Sequence, residues 1–142
     1  MKGDRIPNKD HIARLCLPKT IHDGEIQPSA FMLREIDESL SVNWLACFNC
    51  SSRKNEIAKV QKVYSTKLDI RPKARIAVLN VGEVCEKVKT GSPDKRNLDV
   101  LHDPEKADPS HSGIYNMRPD NELIAELILQ TVCESEIYPA RK

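Results

Sequence analysis

Aromatic side chains are scarce in this chain of 142 residues, which has two Phe, one Trp and three Tyr. Its core must therefore be mainly aliphatic. No apolar run approaches the roughly 20 residues that a membrane-spanning helix requires, so no membrane partner is expected. The first residues, among them Lys2, Asp4, Arg5, Lys9 and Asp10, lack the apolar stretch of a secretory signal. A glycine-rich phosphate loop, a GxSxG elbow and an HExxH zinc signature are all missing, and nothing calls for a metal or a cofactor. The five cysteines are an odd number, and Cys85 and Cys133 lie inside apolar patterns. That usage predicts reduced, packed thiols in the cytoplasm rather than a disulfide framework.

What is present fits one globular domain over 1–142, with 1–10 able to flex and 134–142 forming a tail. Apolar residues make up 39% and charged residues 30%, enough for a core without disulfides or a structural metal. The net charge of +1 conceals an asymmetry. From Ser51 to Arg75, Arg53, Lys54, Lys59, Lys62, Lys67, Arg71, Lys73 and Arg75 are opposed only by Glu56 and Asp69. From Leu98 to Glu136 the balance reverses, and Lys106 and Arg118 are the only basic residues. The two regions can pair within the fold or meet a protein partner of matching charge. A third option lays a basic helix between Lys54 and Lys67 against nucleic-acid phosphates, although Tyr64 alone makes no base-stacking platform.

The hydrophobic pattern predicts an α+β fold, a mixed sheet of about 4–5 strands with two main helices packed on one side. Residues 30–34 and 40–44 read as strands joined by a hairpin connection over 35–39, with Leu40, Val42 and Trp44 facing the core. Ser51 or Ser52 caps a helix running to about Leu68, with Ile57, Val60, Tyr64 and Leu68 in one stripe. The nearly continuous apolar run 75–82 predicts a central strand covered on both faces. A short strand at 98–102 precedes a final helix, capped by Asp120 and running to about Val132. Segment 11–17 ends at Pro18 and is too short for periodicity to choose between strand and helical turn. Segment 19–29 reads as turn and surface loop.

Two of the four histidines fall in the stretch 102–116, which also contains Pro104 and Pro109. Loops anchored at both ends concentrate functional side chains, and imidazole works near neutral pH. On a strand, His102 shares a face with Leu98 and Val100 and points coreward, while Pro104 holds Asp103 extended. Ser110 and His111 lie further out on the loop, and His11 with Arg14 offers another imidazole and a cation. If they converge, His11, His102 and His111 supply acid and base, and Arg14 steadies developing negative charge. If they do not, each histidine simply ties down loop backbone. Because His102 points inward, a site built from His111, Ser110 and Arg14 is favoured over one built from the two loop histidines.

Cys47 and Cys50 form a lone CxxC just before the first helix. Zinc would need two further ligands, and Cys16, His11 and His22 stand at no compact spacing from the pair. A redox pair would suit the helix start. Packing of two small apolar side chains explains the motif as well.

The phrases Asp10-His-Ile-Ala-Arg14, Ala30-Phe-Met-Leu33, Leu40-Ser-Val-Asn-Trp-Leu45, Ala77-Val-Leu-Asn-Val-Gly82, His102-Asp-Pro104 and Pro109-Ser-His-Ser-Gly-Ile-Tyr115 run through nearly the whole chain. In them the chain resembles a group of small uncharacterised bacterial proteins that share these phrases in this order. The resemblance implies no reaction, cofactor or fold. It implies that His11, Arg14, His102 and His111 sit in recurring phrases, whereas Cys47 and Cys50 do not. Two functions follow as expectations. One is a small cytosolic accessory or interaction domain whose His-bearing loop contacts a protein or ligand. The other is a metal-independent phosphodiesterase or nuclease, toxin-like, which requires at least two of these imidazoles and Arg14 in one pocket within about 7 Å.

Overall fold

The computed structural model describes residues 3–142. In chain order the strands are Asp4–Arg5 (β1), His11–Cys16 (β2), Ile21–His22 (β3), Glu25–Ile26 (β4), Leu40–Trp44 (β5), Arg75–Asn80 (β6), Asp99–His102 (β7), His111–Tyr115 (β8) and Ile137–Pro139 (β9). Among the described residues three α-helices, Arg53–Lys67 (α1), Val81–Gly91 (α2) and Glu122–Leu129 (α3), complete the regular structure with four short 3-10 turns. Seven strands make one sheet in the order β1-β7-β8-β5-β2-β6-β9, and β3 and β4 form a separate ribbon. Every pairing is antiparallel.

The expectation of a mixed sheet of four or five strands is therefore corrected to a seven-stranded antiparallel one. Short edges account for the difference. β1 has two residues, too few for any periodicity, and β9 arises in the stretch read as a tail, where Ile76 pairs with Tyr138. β6 is indeed covered on both faces, but it lies next to the edge strand β9, and the centre belongs to β5.

Helices also cover both faces rather than one. Strand alternation sends Ala13, Ile76 and Val78 to a layer with Ile57, Val60 and Tyr64 of α1. It sends Ile12, Ala77 and Leu79 to a larger layer with Val84 and Val88 of α2 and Ile124 and Ile128 of α3. No break in the sequence pattern marks the start of α2, because it begins where β6 stops. The side chain of Asn80, the last strand residue, accepts the Glu83 N–H at 2.9 Å and caps it.

Two local readings change with the tertiary contacts. Residues 30–34 make no strand: Pro28–Phe31 is a 3-10 turn whose Ala30 and Phe31 sink into the α2/α3 layer. Leu40, Val42 and Trp44 do face that layer, but their partners are β8 and β2 instead of a hairpin mate. The final helix is capped by Asn121, whose side chain accepts the Ile124 N–H at 2.9 Å. Asp120 stands one residue earlier in the left-handed region, φ 54, its N–H bonded to the Leu33 carbonyl. α1 begins as the sequence predicts, with Ser52 accepting the Asn55 N–H.

Candidate functional site

The two central strands part company early. β2 pairs with β6 along its whole length, but with β5 only at Ile12↔Trp44 and Ala13↔Asn43. The Trp44 N–H bonds to Ser110 on the β8 side, so by strand alternation the Ser41 carbonyl faces β2. No strand residue meets it there. Instead the Arg14 guanidinium spans the gap, Nη1 donating to the Ser41 carbonyl at 2.9 Å and Nε to the Ala30 carbonyl at 2.8 Å.

A cleft of about 690 Å³ opens at this split. It is lined by Arg14, Leu15, Ser41 and Asn43 of the strands, by Tyr64 and Lys67 of α1 with Leu68 just beyond it, by Ala30, Met32 and Leu33, and by Glu105 and His111. Burial pulls the Arg14 pKa below its ordinary value, partly opposed by the surrounding Cys16, Tyr64 and Asp37. The guanidinium stays charged, because arginine does not deprotonate in proteins. Among the described residues no carboxylate reaches ion-pair distance of it, and Asp37 is held by Arg34 at 2.7 Å. The apolar rim includes Leu17 and Leu68, both exposed.

The expected loop is an extension of the β7–β8 hairpin, and His111, read as lying out on it, is instead the first residue of β8, paired with Asn43. Asp103 N–H bonds to the His111 carbonyl, and Glu105 and Asp108 exchange backbone hydrogen bonds across its tip. Beneath it lies a buried polar knot. The fully buried Asp108 carboxylate accepts from Asn43 at 2.8 Å, from Ser110 at 2.7 Å and from Lys67 at 2.7 Å. Burial opposes this charge, but the three hydrogen bonds outweigh it and hold the Asp108 carboxyl below the usual carboxylate range. Lys67 also reaches Glu105 at 3.2 Å, and Arg53 reaches Glu136 at 3.1 Å. The basic middle and the acidic C-terminal third thus meet partly within the fold. Lys54, Lys59 and Lys62 remain exposed on α1.

The sequence-predicted site residues divide between the cleft and other places. Arg14 and His111 line the cleft and meet at Ser41, whose carbonyl binds Arg14 and whose hydroxyl lies 3.3 Å from His111 Nε2. Ser110 belongs to the buried knot. His102 stacks edge-on against Trp44, ring centres 5.0 Å apart, with Nε2 2.7 Å from the Pro109 carbonyl. His11 pairs with Asn80 at the far end of β2. Neither His11 nor His102 lines the cleft. Cys47 and Cys50 donate to different carbonyls, those of Pro109 and Phe48. Among the described residues no group of three His, Cys, Asp or Glu is placed to hold a metal ion.

Sequence reasoning passed over Ser41 and Asn43, and it placed Tyr64 and Lys67 on the basic helix without joining them to this cleft. One signal was available for the first two: in Leu40-Ser-Val-Asn-Trp44 they alternate with the apolar positions and so share the face opposite Leu40 and Val42. Comparison with protein families, curated proteins and solved structures finds no match.

Proposed function

We propose that this chain is a cytosolic ligand-binding domain whose cleft takes an organic anion with an apolar portion, and that His111 at the start of β8 forms part of the contact. The observation that carries this reading is the Arg14 guanidinium, which lines the cleft with two carbonyl partners and, among the described residues, no carboxylate at ion-pair distance. A cation with no carboxylate in direct contact favours an arriving carboxylate or phosphate, which it can hold by charge-assisted hydrogen bonds. Leu15, Met32 and Leu33 beside it, with Leu17 and Leu68 at the rim, suit a short aliphatic chain. The phosphodiesterase reading asks for a second imidazole in the same cleft, and the nearest arrangement supplies His111 alone.

Calorimetric titration of the full chain with hexanoate, inorganic phosphate and the uncharged hexanol tests the proposal. Hexanoate should bind and hexanol should not, and Arg14→Gln should weaken hexanoate binding at least about tenfold, the loss of one charge-assisted contact. Equal affinity of hexanoate for the wild-type and Arg14→Gln proteins would refute it.

A further inference from the structure

We infer that Ser41 and His111 form a hydrolytic dyad acting on carboxylate-bearing esters bound in this cleft, an inference that rests on the cleft being the ligand site. The β5–β8 register places Ser41 opposite Gly113 and Asn43 opposite His111, so Ser41 and His111 are diagonal neighbours on one face. His111 Nδ1 lies 2.9 Å from the Asp103 carbonyl oxygen. A carbonyl only accepts, so Nδ1 carries a proton, and in the neutral form of the ring Nε2 is the bare nitrogen. That nitrogen faces the Ser41 hydroxyl at 3.3 Å, a separation typical of a nucleophile and its base before substrate closes the site.

Three further features complete the arrangement. Asp103 Oδ2 and Glu105 Oε2 stand 4.0 and 3.9 Å from Nδ1, placed to stabilise an imidazolium. Tyr115 donates to Asp103 and holds that carboxylate. Arg14 is bonded to the carbonyl of Ser41 itself, so an acyl group whose far end carries a carboxylate spans from the guanidinium to the serine.

The chemistry balances with water as the only co-reactant. Ser41 Oγ attacks the ester carbonyl carbon as its proton passes to His111 Nε2. The bond to the leaving alcohol then breaks, and the imidazolium returns that proton to the alcohol oxygen. Water, deprotonated by Nε2, attacks the acyl-serine. The acid leaves, and Ser41 recovers its proton.

The test uses the full chain with the mono-p-nitrophenyl ester of succinic acid, with p-nitrophenyl acetate as the uncharged comparison. The protein should release nitrophenolate above the spontaneous rate and prefer the anionic ester. Ser41→Ala and His111→Gln should each lower that rate by about 100-fold or more. Arg14→Gln should raise KM for the anionic ester far more than for the acetate. Replacing His22, exposed on the separate β3–β4 ribbon, should change neither. Diisopropyl fluorophosphate should add one phosphoryl adduct to Ser41 of the unmutated protein, read by peptide mass spectrometry, which does not depend on any variant folding. Succinate binding that survives in Ser41→Ala, together with lost hydrolysis, supports the dyad. Succinate binding with no hydrolysis and no adduct on the wild type rejects the dyad and leaves the cleft reading standing, whereas absence of binding, hydrolysis and adduct rejects both.

Discussion

Asp108 shows how much a single buried group holds here. Its carboxylate gathers α1 through Lys67, β5 through Asn43 and the β7–β8 hairpin through Ser110. Asp108→Ala strands those donors in a closed space and should cost about 2–4 kcal/mol, measured by urea unfolding. Its pKa is depressed in the folded state, so the unfolded chain binds more protons in the acid range and stability rises with pH there. The contribution is complete above the ordinary carboxylate pKa of about 3.9 and fades as pH falls through the lower folded value. The urea midpoint of the wild type should therefore drop more steeply on acidification than that of Asp108→Asn, with the two converging at the acid end. Parallel curves would remove Asp108 from the explanation. None of this was legible in the sequence, where Asp108 is one acidic residue among many. Only the fold puts Lys67, more than 40 positions upstream by the 41-residue separation, against it.

At the scale of the element, the split between β2 and β5 is what makes room for a site. A fully paired sheet would have closed the Ser41 carbonyl against β2 and left Arg14 no gap to span. β8 is the rigid counterpart on the other side of β5, and it tolerates little. A Cβ at Gly113 would lie 2.5 Å from Ser39 Oγ, 2.8 Å from Ser39 Cβ and 2.9 Å from Tyr115 Cε1. Gly113→Ala should destabilise by about 1–3 kcal/mol, because backbone-near atoms of β5's entry must shift. It should also disturb the adjacent Ser41–His111 pair, seen as slower labelling by diisopropyl fluorophosphate. A variant as stable as the wild type would show that the strand entry yields easily.

Over the whole molecule, ligand binding and stability are linked by mass action. A ligand that fills the cleft of the folded chain and ignores the unfolded one adds about 2.7 kcal/mol at one hundred times its Kd. Hexanoate at that concentration should raise the Tm of the wild-type protein by several degrees and that of Arg14→Gln by about half as much or less, since a tenfold weaker site is then at only about ten times its Kd, in thermal scans followed by circular dichroism. An equal rise in both proteins would mean that the fatty anion binds elsewhere.

The sequence by itself determined those features whose cause is local. The Ser52 cap and apolar stripe specify α1, the alternation in Leu40-Ser-Val-Asn-Trp44 sets which side chains of β5 face the larger core layer, and the continuous run in β6 announces cover on both faces. It also marked Arg14 and His111, because a cation in an apolar segment and an imidazole in an anchored loop are uncommon placements. The tertiary structure alone decided the strand order, the short edges β1 and β9, and the parting of β2 from β5. Those depend on pairings between residues far apart in the chain, whose free energy no local window contains. For the same reason only the fold could bring Arg14, Ser41 and His111 to one point, the first and last separated by most of the sheet's sequence and joined through a strand that neither predicts.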